Sequence, residues 1–239
     1  LNKNGLLLII SEKPLRAKAF YNTLLNNLLV YFGYTRSIII KDTIDYLQDI
    51  EREIVRFRRL KRENEFKYQQ IISEFEISFV HHSLALEGNP ITLNETRIIL
   101  KDKVIPANLK SEDIDEVKNY QKAILQMLKD SQEKHPLTLQ TILGYHALAM
   151  QHRQEIAGKI RIIEVHIRGN PNFKITKAKY IEKELNHLLE KYNEFTKKKR
   201  ATLQEILNFA VYFHNEFQHI HPFEDGNSRI TRLIPFHLL

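Results

Sequence analysis

The segment HPFEDGNSRITR, residues 221–232, decides the fold of this sequence, because it interrupts a helical pattern with a turn suited to an anion. Gly226 and Asn227 are turn-forming residues, and Asp225 places a carboxylate directly before them. We predict that Asn227 caps the next helix, since its side chain can accept a hydrogen bond from a free N–H group of the first turn. Backbone N–H groups at the positive end of a helix form a concave anion site. The segment therefore predicts a phosphate-binding turn between two helices.

Charged side chains around this turn supply the remaining chemistry. Arg229 and Arg232 are three residues apart, on one face of the predicted helix, so both can fork onto phosphate oxygens. Asp225 is a hard oxygen ligand for a Mg²⁺ ion that bridges phosphates. His221 titrates near neutral pH and can accept a proton from an attacking hydroxyl group. Together these residues predict hydroxyl attack on a nucleotide phosphate.

The composition is that of an ordinary globular protein, with 43% hydrophobic and 27% charged residues. Only 7 Gly and 7 Pro occur among 239 residues, which favours long helices. The absence of cysteine excludes disulfides, thiolate catalysis and cysteine-ligated zinc. The apolar run at residues 6–10 is too short for a membrane span or a secretory signal. We therefore expect a cytoplasmic location and no membrane partner.

The formal net charge is +7, and two basic clusters, residues 56–62 and 197–200, carry much of the excess. Acidic residues flank the first cluster, which is typical of the solvated side of a helix. The alternative is a binding patch for nucleic acid. No zinc-finger spacing or RNA-binding aromatic motif accompanies either cluster, so charge alone leaves the partner open.

Apolar residues repeat every three or four positions through most of the chain, which predicts a mainly α fold. The predicted helices cover residues 44–60, 68–87, 92–103, 111–128, 138–150, 177–192 and 202–218. Thr92 and Glu95 form a capping box at the start of the third helix. Residues 160–176 alternate around a Gly-Asn-Pro turn and predict one β-hairpin. The first 40 residues, with short apolar stretches, are expected to hold short strands.

The turn at residues 221–232 resembles the motif of the Fic family, H-x-F-x-(D/E)-G-N-G-R-x-x-R, at seven of eight fixed positions. Upstream, Ser83, Glu87 and Gly88 resemble the inhibitory motif of Fic proteins, (S/T)-x-x-x-E-(G/N), and AGKIR at residues 157–161 is similar to the stretch before the family's flap. The resemblance covers roughly residues 70–236 and is especially close to the metazoan AMP transferases of the family. It implies a Fic-fold helical bundle with one β-hairpin flap.

The resemblance also implies an activity, the transfer of AMP from ATP to a hydroxyl group of a protein. It assigns His221 as the general base, Asp225 as the Mg²⁺ ligand, and Glu87, in the segment of Ser83 and Gly88, as an inhibitory partner of Arg232. The residues expected to bind the nucleotide phosphates are Gly226, Asn227, Ser228, Arg229 and Arg232. The flap residues expected to pair with the target segment are His166, Ile167 and Arg168. The implied substrates are ATP and a protein Ser, Thr or Tyr hydroxyl, including those of the chain itself, and the implied assembly is a homodimer.

Three domains follow from these patterns. Residues 1–40 form an N-terminal region without an assigned role, residues 41–90 a helical linker with the inhibitory helix, and residues 91–239 the catalytic core. The sequence ends at Leu239, partway through the helix that carries Arg232, so we expect the catalytic core to continue beyond it.

Ser228 is the one departure from the Fic motif, since the family has glycine there. A serine at a helix start still offers its N–H group, but its side chain can also alter the pose of the nucleotide. Phosphoryl transfer, as in the related Doc toxins, is therefore an alternative; Doc departs at the preceding glycine as well, whereas Gly226 is retained here, which favours AMP transfer. Removal of AMP is a further activity that the metazoan relatives suggest. A third alternative for Ser228 is a weakened or inactive enzyme. From a different class, the chain could be a DNA-binding regulator with a degenerate Fic domain, against which stands the presence of His221, Asp225 and both arginines.

Overall fold

A computed structural model describes most of the chain, namely residues 7–12, 15–19, 43–167 and 173–238. The chain divides into two compact units, Leu1–Arg62 and Glu63–Leu239. The domain boundaries predicted at residues 40 and 90 stay predictions. Within the described ranges, every helix is too short or too polar to cross a membrane.

The first unit contains a two-stranded antiparallel sheet and a long helix. Strand β1, Leu7–Glu12, pairs with β2, Leu15–Ala19, so the N-terminal region contains short strands, as expected. Helix α1 spans Thr43–Glu63. Its Arg56 Nη1 lies 2.5 Å from Glu53 Oε1, and the arginine side chain is 66% exposed. This part of the basic cluster therefore belongs to a solvated helix face.

The second unit is a helical bundle, which confirms the predicted mainly α class. Its helices are α2 (Glu65–Ala85), α3 (Leu93–Arg97, continued by a π-helical turn, Ile98–Asp102), α4 (Ser111–Gln132), α5 (Leu139–Ala149), α6 (Ile181–Thr196), α7 (Leu203–Ile220) and α8 (Asn227–Leu238). Each lies where the apolar periodicity or, for α8, the motif predicted a helix.

Local signals explain where the helices begin and end. The predicted capping box of α3 is confirmed, because Thr92 Oγ1 accepts from the Glu95 N–H and Glu95 accepts from the Thr92 N–H at 2.8 Å. The predicted stop after α2 is also confirmed. Gly88 has a φ of 94°, which suits glycine, and the Asn89 N–H donates to the Leu84 carbonyl at 3.1 Å.

Helices α4 and α8 form the centre of the bundle. Helix α4 packs against α2, α5 and α8, and α8 also packs against α5 and α7. Both present buried apolar side chains at helical spacing: Val117, Tyr120, Ile124, Met127, Ile230, Leu233 and Ile234. Because α8 begins with the motif residues, the centre of the core fixes the position of the phosphate-binding turn.

The predicted β-hairpin is not confirmed, because residues 160–167 and 173–176 contain no β-strand. Its turn and Arg168 lie outside the described residues. The reason lies in Arg161, whose fully buried guanidinium donates to the carbonyls of Ile163 at 2.8 Å and Thr176 at 2.5 Å. The Thr176 N–H donates to the His219 carbonyl of α7. A buried side chain and a helix end therefore satisfy backbone groups that a β-ladder would have paired.

Candidate active site

The motif turn connects α7 to α8 through two residues with positive φ. His221 follows the last residue of α7 with a φ of 49°, and Gly226 precedes α8 with a φ of 78°. A Cβ atom on Gly226 would lie 3.0 Å from Met150 Sδ and 3.3 Å from His146 Nε2. Glycine at residue 226 therefore satisfies both a backbone requirement and a packing requirement.

Asn227 closes this turn, and the prediction that it caps α8 was wrong. Its side-chain oxygen accepts from the Phe223 N–H at 2.9 Å, and its amide nitrogen donates to the Phe223 carbonyl at 2.7 Å. The Asn227 amide thus satisfies both backbone groups of a buried residue four positions earlier. Because the side chain turns back toward Phe223, it does not occupy the N–H groups that open α8.

His221 is held by its backbone, which leaves the imidazole to face the cleft. Its carbonyl accepts from Arg161 Nε at 2.8 Å, and its N–H donates to the Phe217 carbonyl. Burial, and then the positive charge of Arg161, lower the pKa of His221, against an opposing effect of the Gln218 backbone. The imidazole is therefore neutral at pH 7 and able to accept a proton.

His146 braces the turn from beneath. Its ring stacks on Phe223 with centroids 3.7 Å apart, and it is fully buried. The Gly158 N–H donates to His146 Nδ1 at 2.9 Å, so Nε2 carries the proton and donates to the Asp225 carbonyl at 3.0 Å. Burial lowers the pKa of His146 to about 4, which keeps this arrangement of donor and acceptor at neutral pH.

Asp225 lies between two arginines. Arg229 Nη2 donates to Asp225 Oδ1 at 2.9 Å, and Arg153 Nη1 donates to Oδ2 at 2.9 Å. Burial alone would raise the pKa of Asp225, but Arg229, the Gly226 N–H and Arg153 lower it below the ordinary value. The carboxylate is therefore ionised at neutral pH.

The two motif arginines differ in how they are held. Arg229 is almost fully buried and is paired with Glu116 of α4 as well as with Asp225. Arg232 donates to Glu87 Oε1 at 2.6 Å, to Ser83 Oγ at 2.8 Å and to the Ser83 carbonyl at 2.9 Å. The end of α2 therefore binds Arg232 directly.

A buried tyrosine connects the two arginines. Ser83 Oγ donates to the Tyr120 hydroxyl at 2.9 Å, and that hydroxyl donates to the Arg229 carbonyl at 3.0 Å. Burial raises the pKa of Tyr120 to about 12, so its hydroxyl stays protonated as this chain of hydrogen bonds requires. The position of Ser83 is thus fixed relative to the backbone of α8.

One cleft of about 570 Å³ brings most of the predicted site residues together. Its wall includes predicted residues of the motif, the inhibitory segment and the flap: Glu87, His166, Ile167, His221, Asp225, Gly226, Asn227, Ser228 and Arg229. Ser83 and Arg232 do not line the cleft, but Arg232 connects to the wall through Glu87 and holds Ser83. Gly88 lies outside the wall, with open space around its Cα, and Arg168 lies outside the described residues.

Sequence reasoning gave no role to four residues that shape this cleft, although Arg161 ends the AGKIR stretch: Glu116, His146, Arg153 and Arg161. Glu116 and Arg153 line it, while the two others hold the backbone of the motif turn. Each contacts the motif segment from at least 60 residues away in the chain; the shortest separation is the 60 residues between Arg161 and His221. Their role depends on tertiary packing, which no local spacing reports.

Three comparisons relate this geometry to known proteins. The model of the Fic/DOC family matches residues 136–239. A protein adenylyltransferase Fic of Drosophila grimshawi is 25% identical over 231 residues, which are 94% of this chain and 43% of the relative. The corresponding protein of Drosophila persimilis is 26% identical over 195 residues, which are 80% of this chain and 34% of the relative. The chain therefore spans less than half the length of these curated relatives.

Solved structures agree in fold. A Fic domain containing signaling protein from Bacteroides thetaiotaomicron superposes with a TM-score of 0.72 at 23% identity, covering 80% of this chain and 72% of the other. A Fic family protein from Desulfovibrio desulfuricans superposes with a TM-score of 0.62 at 24% identity, covering 86% of this chain and 59% of the other. The bundle described here is thus the Fic fold.

Proposed function

Because this chain carries a Fic/DOC family domain, we propose that it transfers AMP from ATP to a hydroxyl group of a protein. The observation that carries the proposal is the convergence of a neutral His221, an ionised Asp225 and Arg229 on one cleft at the start of α8. The Drosophila relatives, named protein adenylyltransferase Fic, support the same reaction.

His221 acts as the general base in this proposal. It accepts the proton of the acceptor hydroxyl while the hydroxyl oxygen forms a bond to the α-phosphorus of ATP. The bond between the α-phosphorus and the α,β-bridging oxygen breaks, and pyrophosphate leaves with the electron pair. A base must be uncharged before the reaction, and the lowered pKa of His221 meets this requirement at pH 7.

The start of α8 binds the phosphates. Gly226, Asn227 and Ser228 line the cleft at the positive end of the helix, which attracts an anion. Arg229 is held in place by Glu116 and Asp225, so it is pre-oriented before the nucleotide binds. Arg232 binds the terminal phosphate once Glu87 gives it up.

Asp225 suits a Mg²⁺ ion that arrives with the nucleotide. Its carboxylate is ionised and 42% exposed, so water and phosphate oxygens can complete the shell. Within the described residues no group of three or more acidic or histidine side chains could hold a metal ion. When bound, the ion neutralises charge on the phosphates.

Glu87 inhibits the transfer by keeping Arg232 from the nucleotide. The pair is 2.6 Å long, and its side chains are 27% and 21% exposed, so it is accessible from solvent and can be exchanged for a phosphate. Glu87 also lines the cleft, where it can activate a water molecule. That position supports removal of AMP from a modified protein as a second activity.

The segment with His166, Ile167 and Arg168 presents the target hydroxyl. His166 and Ile167 line the same cleft as His221, which supports this role. The neighbouring Ile162 is 89% exposed and offers apolar surface to a protein segment. The proposal includes a cytoplasmic location, which rests on the amino-acid composition, and a homodimer, which rests on the resemblance to Fic proteins.

The test is incubation with Mg²⁺ and ATP labelled at either the α- or the γ-phosphate, with label on protein as the measurement. We expect covalent α-label, lost in His221→Ala and increased in Glu87→Gly. Label from the γ-position alone would replace AMP transfer by phosphoryl transfer, which the Ser228 side chain in the cleft wall would then explain. If Glu87→Gly takes up no label from either position while the wild type releases AMP from an AMP-modified protein, AMP removal is the principal activity.

A further inference from the structure

Arg153 is a charged residue of the cleft that the family motif does not contain. It follows α5 in the chain, lines the cleft together with His221 and Asp225, and has a side chain that is 40% exposed. Two of its nitrogens are engaged, Nη1 with Asp225 Oδ2 at 2.9 Å and Nε with Glu155 Oε1 at 3.0 Å. Its guanidinium is thus held at the edge of the site proposed for the phosphates.

The charge of the cleft wall makes this arginine informative. Four carboxylates line the cleft, against two arginines, Arg153 and Arg229; the carboxylates belong to Glu87, Glu116, Glu224 and Asp225. A nucleoside triphosphate carries several negative charges, and the carboxylates of a partly desolvated cleft repel them. A cation of the wall that can turn from a carboxylate to a phosphate therefore favours the binding of ATP.

The arginines around the cleft differ in how readily they can make that change. Arg229 is 4% exposed and paired with two carboxylates, and Arg232 is 21% exposed and bound to both Ser83 and Glu87. Arg153 is 40% exposed, and its partners Asp225 and Glu155 are 42% and 63% exposed. Exposed ion pairs contribute little to stability, so Arg153 loses least on leaving Asp225.

We propose that Arg153 is a third phosphate-binding arginine, paired with Asp225 in the nucleotide-free protein and with a phosphate oxygen of ATP in the complex. This inference rests on the proposed function, because it concerns the same nucleotide. The exchange has a second consequence. When Arg153 turns to the phosphate, Asp225 Oδ2 becomes free, and a hard cation accompanying the nucleotide can bind there.

The first measurement is the dissociation constant of ATP and of adenosine by titration calorimetry, for the wild type, Arg153→Gln, Arg153→Lys and the control Arg97→Gln. Arg97 is also 40% exposed and paired with a glutamate, Glu74, but it lies outside the cleft wall. We expect Arg153→Gln to weaken ATP binding about tenfold, as the loss of a charge-assisted contact implies, and to leave adenosine binding unchanged. Arg153→Lys should fall between, and Arg97→Gln should equal the wild type.

Equal ATP affinity in Arg153→Gln and Arg97→Gln would overturn the inference. An equal loss of affinity for ATP and adenosine would also overturn it, because that pattern indicates a distorted cleft. Tighter binding of ATP by Arg153→Gln in the presence of Mg²⁺ would do the same, because Arg153 would then only compete with the cation. A wild-type protein that binds ATP no better than adenosine would instead contradict the proposed function itself. The two failures are therefore distinguishable.

A second measurement tests the exchange of partners. Asp225→Asn removes the charge that holds Arg153, so in EDTA it should bind ATP more tightly than the wild type. The double variant Asp225→Asn with Arg153→Gln should lose that gain. Persistence of the gain without Arg153 would assign it to Arg229, the other partner of Asp225, or to the lost repulsion between Asp225 and the phosphates, and would contradict the exchange.

Discussion

The cleft has two walls of different construction. At the motif turn, His221 and Asp225 lie on a backbone that buried side chains hold: Arg161 binds the His221 carbonyl, and His146 binds the Asp225 carbonyl. At the end of α2, Glu87 reaches Arg232 through one ion pair whose side chains remain partly exposed. Buried side chains hold the backbone of the first wall, whereas the side chain of Glu87 in the second wall is held by one ion pair that a phosphate can replace.

This difference separates catalysis from control. Groups that perform chemistry need fixed geometry, since small displacements are costly for reactivity. A regulatory contact must cost little free energy to break, since a ligand can shift the equilibrium between the closed and the open contact only by the difference between its affinities for the two states. We therefore expect substitutions at the motif turn to change stability and substitutions at the end of α2 to change activity. Four predictions test this expectation.

The largest effect is expected from Arg161→Ala. Its side chain is fully buried and donates to three carbonyls, of Ile163, Thr176 and His221. Truncation leaves those carbonyls unsatisfied around a cavity, so the free energy of unfolding should fall by about 3–5 kcal/mol. Urea denaturation measures this. The control is Lys159→Ala, an exposed residue two positions earlier, and an equal loss there would contradict the proposed role of Arg161 as a brace.

The next effect is a pH dependence from His146. Its pKa is about 4 in the folded protein and near 6.5 in the unfolded chain, so below pH 6.5 the unfolded state binds the additional proton. Stability from this group is complete above pH 6.5 and is lost as the pH falls toward 4, by about 3 kcal/mol in total. The measurement is urea denaturation between pH 7 and 4 for the wild type and His146→Gln.

His146→Gln can still donate to the Asp225 carbonyl but does not titrate. We expect the wild type to lose the larger share of its stability over this interval. His221 and His237 also have lowered pKa values, but both proteins contain them, so their contributions cancel in the difference. Parallel pH profiles would show that His146 does not carry the buried, neutral role assigned to it.

Gly226→Ala should have a smaller effect, about 1–3 kcal/mol of destabilisation, together with weaker ATP binding. The φ of 78° is strained for alanine, and the new Cβ would lie 3.0 Å from Met150 Sδ, although the methionine side chain can yield. The control is Gly144→Ala in α5, where nothing lies within 4 Å of the new Cβ. That change should stabilise by roughly 0.5–1 kcal/mol, since alanine is the better helix former. The same sign for both substitutions would contradict this account.

The sequence predicted the second wall better than the first. Ser83, Glu87 and Arg232 belong to two recognisable motifs, and the contact between Glu87 and Arg232 occurs as the resemblance implied. The helices followed from periodicity, and the capping box of α3 followed from the spacing of Thr92 and Glu95. These features are local or carried by a motif, so they can be read without knowledge of tertiary structure.

The braces of the first wall could not be predicted in this way. His146 has no spacing signal, and Arg161 appears in the sequence only as the last residue of the AGKIR stretch. Each works through a backbone carbonyl that any residue type could provide, so the sequence does not show what either side chain holds. The same physics explains two errors. The sequence of the predicted hairpin alternates as a strand would, but Arg161 forms hydrogen bonds with the backbone carbonyls that a strand pair would use. Asn227 has the chemistry of a helix cap, but its side chain bonds the N–H and the carbonyl of Phe223 instead.

The smallest effect on stability, and the clearest effect on activity, is expected from Glu87→Gln. The substitution keeps the shape of the side chain and removes one charge of a partly exposed ion pair, so the free energy of unfolding should change by less than about 1 kcal/mol. Arg232 keeps its two bonds to Ser83 and becomes free to bind a phosphate. Label transferred from α-labelled ATP should rise on the order of tenfold, a typical coupling between two sites.

Glu194→Gln, which removes an exposed charge from α6, is the control and should change neither quantity. A large loss of stability with unchanged labelling would make Glu87 part of the rigid wall, and the division between catalysis and control would then lie elsewhere in the molecule.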